Sequence, residues 1–225
     1  MLDYSKILYA EAFSTFLLKN PKRSGSTVFF DYIMTLTEYL RKSCNCESYK
    51  KMRSGARGVY LDDWLVEVDD SYLQSSVSYC GLSDFVPHYN RALSIVRNHR
   101  FDTLDMSSTR VEPIAESCRL LYGLLHQRFL VSEDGILRLL QKYRDGVYGV
   151  CPRAACNKKH LIPMGLSLNP NEDTVKLWCP GCHDIYHSDR GIDGAFFGPE
   201  VPIMFQKIAN IPLKYKVFST FLQET

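Results

Sequence analysis

Cys151-Pro-Arg-Ala-Ala-Cys156 and Cys179-Pro-Gly-Cys182 decide how the second half of this 225-residue chain is read. Two short cysteine pairs with 22 residues between them fit one tetrahedral four-thiolate zinc site. Each pair grips from a tight turn, and the intervening chain is long enough for a small hairpin. Cys151, Cys156, Cys179 and Cys182 are the predicted ligands, with one zinc per chain. Four thiolates fill the coordination sphere and leave no place for water or substrate, so the predicted metal is a structural staple. Four unliganded core cysteines are the competing reading. Pro152 and Pro180, which stiffen the two turns, count against it. Metal would also supply much of the stability of a segment too short to bury a large core. His183 and His187 follow the second pair and are expected to be exposed or to support the ligands rather than replace one.

Outward from the quartet the texture is mixed. Residues near Cys151 and beyond are punctuated by Pro, Gly and Asn, and Val175-Lys-Leu-Trp178 predicts a strand running into the second cysteine pair. Upstream the pattern is helical. Ser83-Asp84 offers a cap before Phe85, Tyr89, Leu93 and Val96, spaced three or four residues apart. Pro113 suits a first helical turn, after which Ile114, Cys118, Leu121, Leu125 and Phe129 form one apolar stripe. Ser132 is placed to cap a further helix with Ile136, Leu137, Leu140 and Tyr143 as its buried face, and Gly146 to end it. His126 lies near the apolar stripe and reads as a hydrogen-bonded structural histidine.

The fold class predicted is α+β: an N-terminal all-α helical domain followed by a four-cysteine zinc-ribbon-like module with short antiparallel strands. Residues 1–60 read as an extension holding one amphipathic helix (Phe29, Ile33, Leu36, Leu40) and a basic linker, Lys50 to Arg57. Residues 61–147 form the helical domain, 148–205 the zinc module and 206–225 a tail.

Composition narrows the function classes. Residues 1–60 carry 10 Lys+Arg against 5 Asp+Glu, a net of +5, and the remainder 17 against 20, a net of −3. Neither part has the basic balance of a dedicated nucleic-acid binder. Cys44, Cys46, Cys80 and Cys118 show no disulfide spacing, and Cys118 falls on the apolar stripe as a buried free thiol. Asp3, Lys6 and Glu11 interrupt any signal-peptide core, and no apolar run is long enough to span a membrane. A reducing setting, cytoplasm and nucleus, is expected. No Gly-x-Ser-x-Gly, phosphate-cradling loop or His-Glu-x-x-His is present. The acidic run Asp62-Asp63 to Asp69-Asp70 reads as a solvated surface leading into a helix start.

The run Gln141-Lys-Tyr-Arg-Asp-Gly-Val-Tyr-Gly-Val-Cys-Pro-Arg-Ala-Ala-Cys156 resembles the regulatory beta subunits of casein kinase II. So do Ile162-Pro-Met-Gly-Leu-Ser167, Thr174-Val-Lys-Leu-Trp-Cys-Pro-Gly-Cys-His-Asp-Ile-Tyr186 and Asp193-Gly-Ala-Phe-Phe-Gly198. Upstream, Glu67-Val-Asp-Asp-Ser-Tyr-Leu-Gln74, Val86-Pro-His-Tyr89 and Leu121-Tyr-Gly-Leu-Leu-His126 follow the same order, so the similarity spans about residues 61–205. The resemblance implies a non-catalytic subunit, which dimerises through the zinc module and carries two catalytic kinase chains, altering their stability, activity and choice of protein substrate. It places Cys151, Cys156, Cys179 and Cys182 at the zinc ligands and Pro152, Ala154 and Ile185 at apolar positions of the dimer interface.

Three departures qualify what the resemblance implies. Where the family has an acidic loop associated with polyamine and basic-substrate binding, this chain has Arg97-Asn-His-Arg-Phe-Asp-Thr-Leu-Asp105. The family's N-terminal serine-plus-acid autophosphorylation site has no counterpart. In the tail, Lys216-Val-Phe-Ser-Thr-Phe221 resembles the family's kinase-contacting hairpin only loosely. Phe218 matches one aromatic, Ser219 stands on the glycine, Thr220 on the second aromatic, and Phe221 is one residue late. Val217, Phe218 and Phe221 are the expected kinase contacts; a buried aromatic anchor contributes about 2 kcal/mol or more, so losing one weakens the contact. Two alternatives remain: a divergent paralogue that dimerises without binding kinase, and a zinc-ribbon nucleic-acid module supported by Lys158-Lys159-His160.

Overall fold

The computed structural model describes residues 64–98 and 108–209, with the backbone alone for residues 108–112. The expected helix over Val28–Leu40, the basic linker, Cys44, Cys46, most of the stretch after Arg97, and the tail with Val217, Phe218 and Phe221 lie outside these residues. Among the described residues the chain packs as two compact units, one containing 67–98 and 108–125 and the other 64–66 and 126–209. The α+β class holds: helices dominate the first unit, and the second adds a three-stranded antiparallel sheet.

In the first unit the acidic run does lead into a helix, α1 (Asp70–Gln74), whose Leu73 is fully buried. Five residues cannot satisfy their own last carbonyls. Side chains from the next turn do so: Tyr79 Oη donates to the Leu73 carbonyl at 2.7 Å and Ser78 Oγ to that of Tyr72 at 3.0 Å. Arg97 closes the end of α2 (Tyr89–Asn98) onto α1, its guanidinium donating to the Gln74 carbonyl while the Gln74 amide donates to the Arg97 carbonyl.

The α2 helix starts later than its periodicity predicts. Ser83 and Asp84 cap nothing, and Phe85 lies outside the helix and is exposed. Pro87 disfavours helical backbone at Val86, and His88 takes a left-handed φ of 51° before the first helical turn. The buried face is Ala92, Ile95 and Val96, with Tyr89 and Leu93 only half-buried. The next helix, α3 (Ser108–Leu130), starts earlier than predicted, so Pro113 is its sixth residue rather than part of a first turn. Along it Cys118, Leu121, Leu125 and Phe129 are buried as the stripe requires, and Ile114 is half-buried. Burial pushes the Cys118 thiol up to about 12, so it stays protonated.

In the second unit, α4 (Glu133–Arg144) begins at Ser132, whose Oγ accepts from the Gly135 amide at 3.2 Å. Its buried face is Ile136, Leu139 and Leu140. Leu137, expected inside, is exposed, because the apolar stripe turns through Leu139 rather than Leu137. Gly146, at φ 71°, ends the helix: its amide bonds the Tyr143 carbonyl and the Val147 amide that of Lys142, the paired bonds of a Schellman cap.

The sheet is β1 (Ile162–Met164), β2 (Lys176–Trp178) and β3 (Ile185–His187), in the order β1-β2-β3, with Ile162 opposite Trp178 and Trp178 opposite Ile185. Strands of three residues are too short to stand alone. Trp178, Phe196, Phe197 and Phe205 are fully buried in this unit, as are Phe129, Ile136 and Leu139. Phe205 comes from α5 (Val201–Ile208), a helix that the sequence reading did not anticipate, and its ring meets Tyr143 edge-on at 4.9 Å. Two quoted motifs touch through glycine. A Cβ on Gly165 would fall 2.1 Å from the Gly194 carbonyl oxygen, so only Gly lets Met-Gly-Leu-Ser pass against Asp-Gly-Ala-Phe-Phe-Gly. No helix among the described residues is long and apolar enough to cross a membrane.

Candidate metal centre

The first cysteine turn closes on itself. The Cys151 amide donates to the Lys159 carbonyl at 2.8 Å, and Asn157 and Lys158 both take left-handed φ values to bring the chain back. Cys156 ends a 3-10 turn, Ala154–Cys156. The second turn follows directly from β2: the His183 amide donates to the Cys179 carbonyl at 2.9 Å and the Cys179 amide to the Asp184 carbonyl at 3.0 Å. A salt bridge from Arg153 to Asp184 ties one turn to the other.

These turns bring all four predicted sulfurs together, each within 4.8 Å of the others. Cys151 and Cys182 are 3.7 Å apart, Cys156 and Cys179 3.4 Å. A tetrahedral site with metal–sulfur bonds of about 2.3 Å spaces its sulfurs about 3.8 Å apart, so the donor set fits a metal such as zinc. The surroundings are cut to the same shape. A Cβ on Gly181 would lie 2.9 Å from Cys156 Sγ, and the Gly181 amide points at Cys179 Sγ at 3.4 Å.

Burial raises the Cys179 thiol well above its ordinary range. Burial also raises Cys151, but hydrogen bonds, first from Tyr186 and then from the Arg153 backbone, outweigh it and bring that thiol down to about 7. A divalent cation supplies the charge that lets all four ionise together. Four thiolates would fill a tetrahedral metal's coordination sphere and leave no open position for a substrate.

The nearby histidines stay out of the cluster. His187 is exposed; His183 is half-buried, with its ring 5.7 Å from Trp178 and its Nδ1 3.4 Å from the Gln206 amide nitrogen. His160 is taken up elsewhere. Its Nδ1 donates to the Tyr143 carbonyl at 2.7 Å, serving the end of α4. His126 is structural as expected: completely buried, it accepts from the Val66 amide at 3.0 Å through Nε2 and donates to the Phe196 carbonyl at 2.7 Å through Nδ1. Pro152 and Ala154 are exposed and Ile185 half-buried. Tyr186 was given no role by the sequence. Its Oη lies 3.3 Å from both Cys151 Sγ and Cys182 Sγ, and no spacing rule would have found it.

Comparison with known proteins adds an independent observation. A family model described as casein kinase II regulatory subunit matches residues 59–220. A Drosophila melanogaster protein named casein kinase II subunit beta' is 39% identical over 151 residues, covering 64% of this chain and 67% of its own. The Schizosaccharomyces pombe casein kinase II subunit beta is 36% identical over 157 residues, covering 67% of this chain and 66% of its own. A putative casein kinase II subunit beta-4 from Arabidopsis thaliana is 36% identical over 149 residues, 64% of this chain and 53% of its own. The chain thus spans between about half and two thirds of the length of these relatives.

Proposed function

The chain belongs to the casein kinase II regulatory subunit family, a family of regulatory rather than catalytic subunits, and on that premise we propose that it is a zinc-stapled homodimeric scaffold for two catalytic kinase chains. The observation that carries this reading is the division of labour at the cysteine turns. Their sulfurs face one another, while Pro152 and Ala154 of the first turn remain on the surface. A metal-braced turn is rigid, so apolar groups on it bury area against a second copy with little further ordering cost. Pro152, Ala154 and Ile185 are the residues assigned to that dimer interface. Val217, Phe218 and Phe221 are assigned to the catalytic subunit, and phosphoryl transfer to protein substrates belongs to that partner. The setting assigned is cytoplasm and nucleus.

Native mass spectrometry of the full chain, alone and with a casein kinase II catalytic subunit, tests the proposal. The expected species are a dimer with two zinc ions and a tetramer of two chains of each kind. A zinc-loaded monomer would overturn the dimer; a dimer that ignores the kinase would identify a divergent paralogue whose tail, with Ser219 and Thr220 at the glycine and aromatic positions, has lost the contact. Binding to DNA or RNA at low salt is not expected. His160, the histidine of the basic triplet between the turns, is already committed to the Tyr143 carbonyl.

A further inference from the structure

We propose that Tyr186 is a positioning residue for the metal, its single hydroxyl proton shared between the Cys151 and Cys182 sulfurs so that this edge of the site holds zinc more tightly. The inference rests on the zinc reading above. Its geometry is symmetrical: Tyr186 Oη is 3.3 Å from each sulfur, and the sulfurs are 3.7 Å apart. That places the hydroxyl at the apex of an isosceles triangle whose base joins the two sulfurs, equally within reach of either.

Four thiolates around a divalent cation carry a net charge of about −2, which a partly buried site must offset with hydrogen-bond donors. On the other edge the Gly181 amide serves Cys179. Cys151 and Cys182 belong to different turns, and Cys182 is the one ligand of the four that is not fully buried. Tyr186 answers from a third element. It sits in β3, paired with Leu177 of β2, and the sheet fixes where its phenol ends. The strand thereby links both cysteine turns through one side chain, and the donor lowers the charge on both of the sulfurs it reaches.

The test uses the full chain with Tyr186→Phe, which keeps the ring and removes only the donor. Zinc affinity, read by chelator competition, is expected to fall about 10-fold or more. In the cobalt-substituted protein the thiolate-to-cobalt charge-transfer band is expected to move to longer wavelength, because sulfurs without the donor give up electrons more easily. Incorporating 4-aminophenylalanine at position 186 should restore both readings, whereas 4-methylphenylalanine, equal in size but without a donor, should not. That isosteric pair decides the matter even if the Phe variant folds poorly. If the wild-type chain takes up neither zinc nor cobalt, the zinc reading itself fails. If the wild type binds and the donor-free variants match it within twofold, with an unmoved band, Tyr186 has no such role.

Discussion

His126 shows how much a single buried side chain constrains. With Nδ1 donating to Phe196 and Nε2 accepting from Val66, the ring is neutral, and a second proton on Nε2 would face an N–H donor. Burial holds its pKa down at about 4 against the ordinary 6.5; the Phe196 bond opposes that shift and Lys142 adds to it. Between those values the unfolded chain binds a proton that the folded chain refuses. The stabilisation is therefore complete above pH 6.5 and is lost as pH falls toward 4, by roughly 3 kcal/mol in all. Urea unfolding should give a midpoint that drops between about pH 7.5 and 5. His126→Gln should lower stability above the ordinary histidine pKa and flatten most of that drop; an unchanged pH slope would remove His126 as its source. The sequence identified this histidine as structural but not its partners, which lie 60 and 70 residues away along the chain. The same holds for the four cysteines and Tyr186: the gathering of the sulfurs is readable from spacing, the hydroxyl 3.3 Å from two of them is not.

Among the elements, those with strong local chemistry were legible and those shaped by packing were not. Ser132 caps α4 and Gly146 ends it because both act through bonds to residues within a few positions. Ser132→Ala should lower the stability of the folded chain by about 1 kcal/mol, with little change in the denaturant slope; no change in the urea midpoint would mean that the Gly135 amide finds another acceptor. The face of that helix was less readable. Leu137 and Leu139 are equally apolar, and which one turns inward depends on the neighbour it meets. The start of α2 was displaced because a local rule, the effect of Pro87 on Val86, overrides apolar spacing. The last helix, α5, has Pro202 near its start, yet its place is set by Phe205 packing against Tyr143, a contact between elements far apart in the chain.

At the scale of the molecule, the sheet and the candidate metal centre share one stretch of chain. Three strands of three residues cannot persist without support; the first cysteine turn leads into β1, and the second joins β2 to β3. Stripping the metal with a strong chelator should expose the fully buried Trp178 and shift tryptophan emission to the red. Zinc should reverse the change, and helical circular dichroism should be largely retained. Emission that stays blue-shifted through complete metal removal would mean that the aromatic core alone holds the sheet. The family, the cysteine quartet and the succession of helices into a small sheet could all be read from the chain as a string. Cysteine spacing, helix caps and motif order are short-range properties that residue identity carries directly. Tertiary packing alone set the burial of His126, the diversion of His160 to the end of α4, the glycine crossing of Gly165 and Gly194, and the hydroxyl of Tyr186 between two sulfurs. In each case the partners are joined by folding and not by neighbourhood in the chain, and short-range spacing carries no information about which distant atom will arrive.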